Sequence, residues 1–86
     1  MAETQPKIVV FTTPTCPWCR RVKQYIQSKG FKFREVDVSR DEAAARDMVR
    51  RTGQMGVPVT LIGNQSIVGF DQARIDRLLG LRAQSA

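Results

Sequence analysis

The sequence predicts a small α/β fold with the element order βαβαββα, in which a four-stranded mixed sheet is flanked by three helices. Residues 8–11 are apolar at every position, which is typical of a central strand buried on both faces. Gly63 and Asn64 separate two short apolar runs and favour a tight hairpin turn. The opening order of strand, helix and strand predicts a parallel pair joined by a right-handed crossover.

The first strand and the first helix have clear boundary signals. The strand spans residues 7–12, and the segment 13–15, Thr-Pro-Thr, ends it. A helix is expected from Cys16, because Pro17 suits the first helical position and Gly30 provides a C-terminal stop. The junction between a strand's carboxyl end and the next helix is the usual place for chemistry in an open α/β sheet. The predicted fold therefore puts Cys16 at such an edge.

The sequence pattern of the second strand is irregular, whereas the start of the second helix has a capping motif. Residues 31–38 have the composition of a strand, but their alternation slips phase between Phe33 and Val36, so we expect a bulge or an edge position. Ser39, followed three residues later by Glu42, forms a capping box. This motif indicates that the second helix begins there.

A hairpin and a third helix complete the order. The second helix is expected to end at Gly53. Strands over residues 59–62 and 65–68 flank the two-residue turn and must be antiparallel. Asp71 is a favourable N-cap for the last helix, whose apolar positions would face inward.

Length and composition limit both the fold and the chemistry. The chain has 86 residues, 42% hydrophobic and 26% charged, which predicts one soluble globular domain over residues 1–86. Residues 1–6 and 81–86 are expected to be flexible. Histidine is absent, which excludes His general bases, Ser-His and Cys-His nucleophilic systems, and zinc sites built on imidazole.

Charge and hydropathy bear on partners and location. The formal net charge is +6, from 14 Lys and Arg against 8 Asp and Glu, and such a balance favours acidic partners. The positive residues are scattered without interleaved aromatics, which argues against nucleic-acid binding and for a solvated basic face. The longest apolar run has four residues, so neither a membrane span nor a signal-peptide core is predicted. We therefore expect a cytoplasmic monomer that binds no membrane.

The two cysteines, Cys16 and Cys19, form a C-x-x-C motif at the start of the first helix. At the N-cap, the Cys16 sulfur would face unpaired backbone N–H groups and the positive end of the helix dipole, which favour thiolate over thiol. This predicts Cys16 as the nucleophile and Cys19, three residues on, as the resolving thiol. The same spacing also fits a zinc or iron–sulfur module shared by two chains, or a local structural disulfide.

Three motifs in the same order resemble those of glutaredoxins and glutaredoxin-like redoxins. They are Thr-Thr-Pro-Thr-Cys-Pro-Trp-Cys at residues 12–19, Gly-Val-Pro at 56–58, and Val-Gly-Phe-Asp at 68–71. The resemblance spans about residues 7–80. It implies a thioredoxin fold and a thiol-disulfide oxidoreductase that reduces disulfide-containing proteins or mixed disulfides through Cys16 and Cys19.

The resemblance also implies the contacts with substrate. The Val57-Pro58 peptide should be cis and lie beside Cys16, with the Val57 backbone free to pair with an extended substrate. Apart from the resemblance, the Trp18 ring is too large for the buried face of the first helical turn, so we expect an exposed aromatic lid beside the sulfur, with partial burial in the core as the alternative. Asp71 has two interpretations, a contact with glutathione and a simple helix cap. The residues assigned to substrate or glutathione binding are Thr13, Pro17, Trp18, Val57, Pro58, Gly69, Phe70 and Asp71.

The electron donor is left open between glutathione and a thioredoxin-reductase-type partner. Glutathione-using relatives often carry Lys, Tyr, Thr and Gly where this chain has Thr13, Trp18, Gly56 and Val68, and these departures weaken a glutathione assignment. The Gly-Phe ending of the third motif is similar to small redoxins that thioredoxin reductase reduces. Glutathione is the expected co-substrate in the first case, and neither a tightly bound cofactor nor a metal is expected within one chain.

Overall fold

The computed structural model describes residues 7–80 and contains the predicted order of elements. The residues expected to be flexible, 1–6 and 81–86, lie outside this range. The elements are β1 (Ile8–Thr12), α1 (Pro17–Ser28), β2 (Arg34–Asp37), α2 (Glu42–Thr52), β3 (Val59–Ile62), β4 (Gln65–Val68) and α3 (Gln72–Leu79).

The four strands form one mixed sheet in the order β2-β1-β3-β4. β1 pairs in parallel with β2 and antiparallel with β3, and β4 pairs antiparallel with β3. Because β3 runs opposite to β1, the start of β3 lies at the edge where β1 ends. This topology brings Pro58, just before β3, to the same edge as Cys16, which follows β1.

The sheet separates two hydrophobic layers, as the apolar run in β1 predicted. Val10 contributes to the layer under α1 and α3, whereas its neighbour Phe11 contributes to the layer under α2. The buried members of the first layer are Ile8, Val10, Val22, Ile26, Ile62, Ile67, Ile75 and Leu79. Those of the second are Phe11, Met48, Val59 and Leu61. A fully buried aliphatic side chain of this kind contributes about 1.5–3 kcal/mol, so the two layers together fix the sheet between the helices.

The second strand is shorter than predicted and lies at the sheet edge. It covers Arg34–Asp37, where the continuous register with β1 begins at Arg34 opposite Val9. The predicted edge position is confirmed, and this ladder needs no bulge. The phase slip arises because Phe33 packs against the layer under α1 and α3, whereas Val36 packs against the layer under α2.

The predicted capping box of the second helix is wrong. The N-cap is Asp41, whose side chain accepts the Ala44 N–H at 3.0 Å, and the helix begins at Glu42. Ser39 is held elsewhere, because its N–H and its hydroxyl both donate to Asp37 Oδ1, at 2.9 and 2.6 Å. A carboxylate on the preceding strand thus competes successfully for the serine.

Candidate active site

The N-terminus of α1 is built around the Cys16 sulfur. Cys16 is the N-cap, with extended φ and ψ of −103° and 107°, and Pro17 occupies the first turn. The Cys16 Sγ accepts the Cys19 backbone N–H at 3.0 Å and is half-buried. The Cys19 N–H and the positive end of the helix dipole both point at this sulfur.

Cys19 occupies a contrasting environment in the same turn. Its residue surface is 1% exposed, and both cysteines are free thiols. Burial and the hydrogen bond with the Cys16 side chain raise the pKa of the Cys19 thiol to about 12, while the Thr13 backbone and the Lys23 charge act in the opposite direction. The motif therefore pairs one accessible sulfur with one protected, protonated sulfur.

An ion pair lies beside Cys19 that the sequence reasoning missed. Lys23 follows Cys19 by four residues, so the two side chains share one helix face. The Lys23 ammonium donates to Glu35 Oε2 at 2.7 Å, and the Thr12 hydroxyl donates to the same oxygen at 2.9 Å. The Lys23 hydrogen bond keeps the pKa of the Glu35 carboxyl below its usual value. The i to i+4 spacing of Cys19 and Lys23 was the available signal.

A groove opens beside the cysteine motif. It has a volume of about 280 Å³ and is lined by Trp18, Val57, Pro58, Gly69 and Phe70, all of them predicted site residues. The Val57-Pro58 peptide is cis, as the resemblance implied, and the Gly69 N–H donates to the Pro58 carbonyl at 2.9 Å. Within residues 7–80, the Val57 backbone makes no hydrogen bond.

The rings of Trp18 and Phe70 form one wall of the groove. Phe70 lies between Trp18 and Tyr25, with ring centroids 6.4 and 5.6 Å away. Tyr25 is half-buried rather than a full core residue, and its hydroxyl donates to Asp76 Oδ1 on α3. Tyr25 therefore supports the ring of Phe70 through an edge-to-face contact.

Three predicted binding residues do not line the groove. Asp71 is the N-cap of α3, and its carboxylate accepts the Arg74 N–H at 3.2 Å. The Thr13 carbonyl accepts the Cys16 N–H at 3.4 Å, and Pro17 is exposed in the first turn of α1. Of the two interpretations of Asp71, the helix cap is thus the one with a contact in the structure.

Residues 7–80 show neither a group of three or more metal ligands nor a membrane-spanning helix. In residues 7–80 no three or more His, Cys, Asp or Glu side chains converge in a way that could hold a metal ion. No helix in this range combines the length and the apolar character that crossing a membrane requires.

Fold and site together define a small thiol redoxin, and comparison with known proteins identifies its family. The glutaredoxin family profile matches residues 8–67, so the chain belongs to the glutaredoxin family. Its sequence is 43% identical over 72 residues to an uncharacterized glutaredoxin-like 8.6 kDa protein in a rubredoxin operon of Clostridium pasteurianum, covering 84% of this chain and 96% of that one. Glutaredoxin 3 of Escherichia coli K12 is 36% identical, with 74% of this chain and 77% of that protein aligned.

A solved structure agrees with this family assignment. The glutaredoxin-like NrdH-redoxin from Escherichia coli, described as having a thioredoxin-like activity profile, superposes with a TM-score of 0.76 at 32% identity. The superposition covers 84% of this chain and 93% of that one. Family, fold and the adjacent cysteines of the C-x-x-C motif support a thiol redox function for this chain.

Proposed function

We propose that this chain is a thiol-disulfide oxidoreductase that reduces protein disulfides or mixed disulfides, with Cys16 as nucleophile and Cys19 as resolving thiol. One observation carries the proposal. The accessible Cys16 sulfur accepts a backbone N–H at the start of α1 and contacts the buried, protonated thiol of Cys19. The two sulfurs are thereby prepared for different steps of one exchange.

In the first step, the Cys16 thiolate attacks one sulfur of the substrate disulfide. The substrate S–S bond breaks, a mixed disulfide forms on Cys16, and the other half of the substrate leaves as a thiolate that takes a proton from water. The Cys19 N–H, 3.0 Å from the Cys16 sulfur, stabilises the attacking anion.

In the second step, Cys19 loses its proton and attacks Cys16 Sγ. A disulfide forms between Cys16 and Cys19, and the second substrate half leaves as a thiolate and is protonated, so two electrons have passed to the substrate. Lys23, held by Glu35 at 2.7 Å, stabilises the Cys19 thiolate as it forms, since its charge lowers the pKa of this thiol. Lys23 acts here as a positioning residue.

The groove provides the place for the substrate chain. An extended peptide pairs with the free backbone of Val57, while Trp18 and Phe70 contact its side chains. Backbone pairing makes few demands on the sequence of the peptide, and the aromatic rings contribute apolar contact area. Thr13, Pro17 and Asp71, which lie outside the groove lining, contribute through the loop and helix ends that border it.

A reductant must return two electrons to the Cys16–Cys19 disulfide. Glutathione and a thioredoxin-reductase-type flavoprotein are the two donor classes. The residues Thr13, Trp18, Gly56 and Val68 favour the second class, as does the similarity to a redoxin described as thioredoxin-like.

A coupled assay tests the function and separates the donors. The substrate is a small disulfide, with NADPH and either glutathione plus its reductase or thioredoxin reductase. We expect NADPH oxidation that depends on the wild-type chain and is abolished by Cys16→Ser, with the thioredoxin reductase couple faster. Activity with neither couple would refute the proposal. Anaerobic purification of a coloured dimer would instead support the iron–sulfur module.

A further inference from the structure

Exposed apolar side chains occur within the groove and in the segments next to it. Trp18, Met55 and Val68 are the large hydrophobic residues exposed within residues 7–80, at 54%, 74% and 46%. Trp18 lines the groove itself, Val68 precedes Gly69, and Met55 precedes Val57 by two residues. An apolar rim around a reactive centre indicates contact with a macromolecule rather than with a small thiol alone.

Met55 continues this rim onto the second helix. Its side chain closes a shallow depression of about 420 Å³ on the surface of α2, which we name the α2 patch. The patch is lined by Ala45, Arg46, Val49, Arg50 and Met55. Two arginines therefore border an apolar floor next to the loop that leads to the cis peptide.

Met55 connects the α2 patch to the loop that leads to Val57 at the edge of Cys16. The opposite side of α2, with Asp47 and Arg51, lines a larger groove that reaches Lys7 and the start of β1, the far end of the sheet. Ala45 and Val49 stand roughly 160° around the helix axis from Asp47 and Arg51, because each residue turns the helix by about 100°. The patch therefore lies on a different side of α2 from the groove at the start of β1.

The charged residues that line the α2 patch are both positive. Arg46 and Arg50 are exposed, and neither has a carboxylate within ion-pair distance among residues 7–80. Arg21 lies over the Trp18 ring, 5.0 Å from its centroid, and Arg20 beside it is exposed. On the other side of the groove, next to Phe70, stands the carboxylate of Asp71. Only a partner whose acidic residues lie toward α2 complements this distribution.

We infer that the α2 patch is a docking surface for an acidic segment of the protein substrate, adjacent to the disulfide that Cys16 attacks. The inference rests on the proposed function and names the substrate class of the same site. Arg46 and Arg50 attract acidic side chains of the substrate, and Met55 and Val49 contact its apolar residues. The net charge of +6 acts in the same direction over a longer range.

Three peptide disulfides test this assignment. The three peptides have the same length, and each has a single cysteine in a mixed disulfide with 2-mercaptoethanol. They differ in having Asp, Ser or Lys on both sides of that cysteine. We measure kcat/KM for each with the reductant couple that supports turnover. We expect the acidic peptide to exceed the Ser peptide by about tenfold at low salt, and the difference to shrink at high salt because exposed charges are screened.

Matched charge variants locate the effect. R46E/R50E and the control K7E/R34E each lower the net charge from +6 to +2, two units for each reversed side chain, but Lys7 and Arg34 lie at the far end of the sheet. We expect R46E/R50E to lower the acidic-to-Ser ratio about tenfold, and the control to leave it unchanged.

The possible outcomes distinguish a failure of the docking surface from a failure of the proposed function. Equal kcat/KM for the three peptides, or an equal fall in both variants, overturns the docking surface but leaves the oxidoreductase in place. Absence of turnover with every peptide refutes the proposed function itself. A dimer in sedimentation that Met55→Asp dissociates would show instead that the patch joins two copies of this chain, and the acidic-partner assignment would be wrong.

Discussion

The difference in reactivity between Cys16 and Cys19 can be measured one thiol at a time. Cys16→Ser leaves only the buried Cys19, and Cys19→Ser leaves only the accessible Cys16. Burial and the Cys16 hydrogen bond raise the pKa of the Cys19 thiol to about 12. At pH 7 a thiol with a pKa of about 12 is roughly 10⁻⁵ ionised, against about 1% for a thiol with the ordinary pKa of 9.0, a difference of roughly 1,000-fold.

Alkylation by iodoacetamide reports this difference, because only the thiolate reacts. Burial, the larger cause, persists in Cys16→Ser, so we expect native Cys19 to react at least about a hundredfold more slowly than the same variant unfolded in urea. In Cys19→Ser, native Cys16 should react readily at neutral pH. Peptide mapping by mass spectrometry follows each site. Native Cys19 reacting within threefold of its unfolded rate would refute the reasoning.

Three further predictions follow from the same contacts. Because folding raises the Cys19 pKa from 9.0 to about 12, the unfolded chain loses this proton first as pH rises. Between pH 9.0 and about 12 the free energy of unfolding of the reduced protein should therefore fall by up to roughly 1.4 kcal/mol per pH unit, and this fall should be absent in Cys19→Ala. Urea unfolding at several pH values measures it, and the same pH dependence in both proteins would contradict this. Lys23→Met should slow release of the second substrate thiol several-fold in single-turnover measurements, whereas Lys29→Met, at the far end of α1, should not. Equal release rates in the two variants would show that Lys23 has no such role. Asp71→Ala should lower the free energy of unfolding by about 1 kcal/mol through loss of the α3 cap, whereas Asp71→Asn should keep most of the wild-type stability because Asn also caps helices. Thermal unfolding measures both variants, and equal losses of stability would argue against capping.

Much of the fold follows from local sequence signals. The strand β1 is apolar on both faces, and Pro17 and Gly30 bound α1 as expected, with Gly30 at a φ of +83°. The hairpin turn is equally local. By contrast, Ser39 and Asp41 both precede the second helix and both can cap it. The competing bond from Ser39 to Asp37 decides between them, and it depends on where β2 ends.

The candidate site was predictable in part. The helix-start position of Cys16 follows from the order of strand, proline and helix, whereas the cis Val57-Pro58 peptide was expected only through family resemblance. The bond between Lys23 and Glu35 joins a helix to an edge strand whose register the sequence left uncertain. The pairing of Lys23 with Glu35 could therefore be identified only once the fold was known.

The edge-to-face contact between Phe70 and Tyr25 has the same origin. The two rings are distant in sequence and meet because α1 and α3 lie on one face of the sheet. Long-range contacts of this type support the groove while leaving no local pattern.

The division of labour between the two sulfurs is tested most directly by trapping the intermediate. Cys19→Ser is incubated with a peptide disulfide, and intact and tandem mass spectrometry locate the bound half. The account predicts a stable mixed disulfide on Cys16, and none on Cys19 when Cys16→Ser is treated in the same way. A mixed disulfide that forms on Cys19 at a comparable rate, or no trapped species on Cys16, would contradict it.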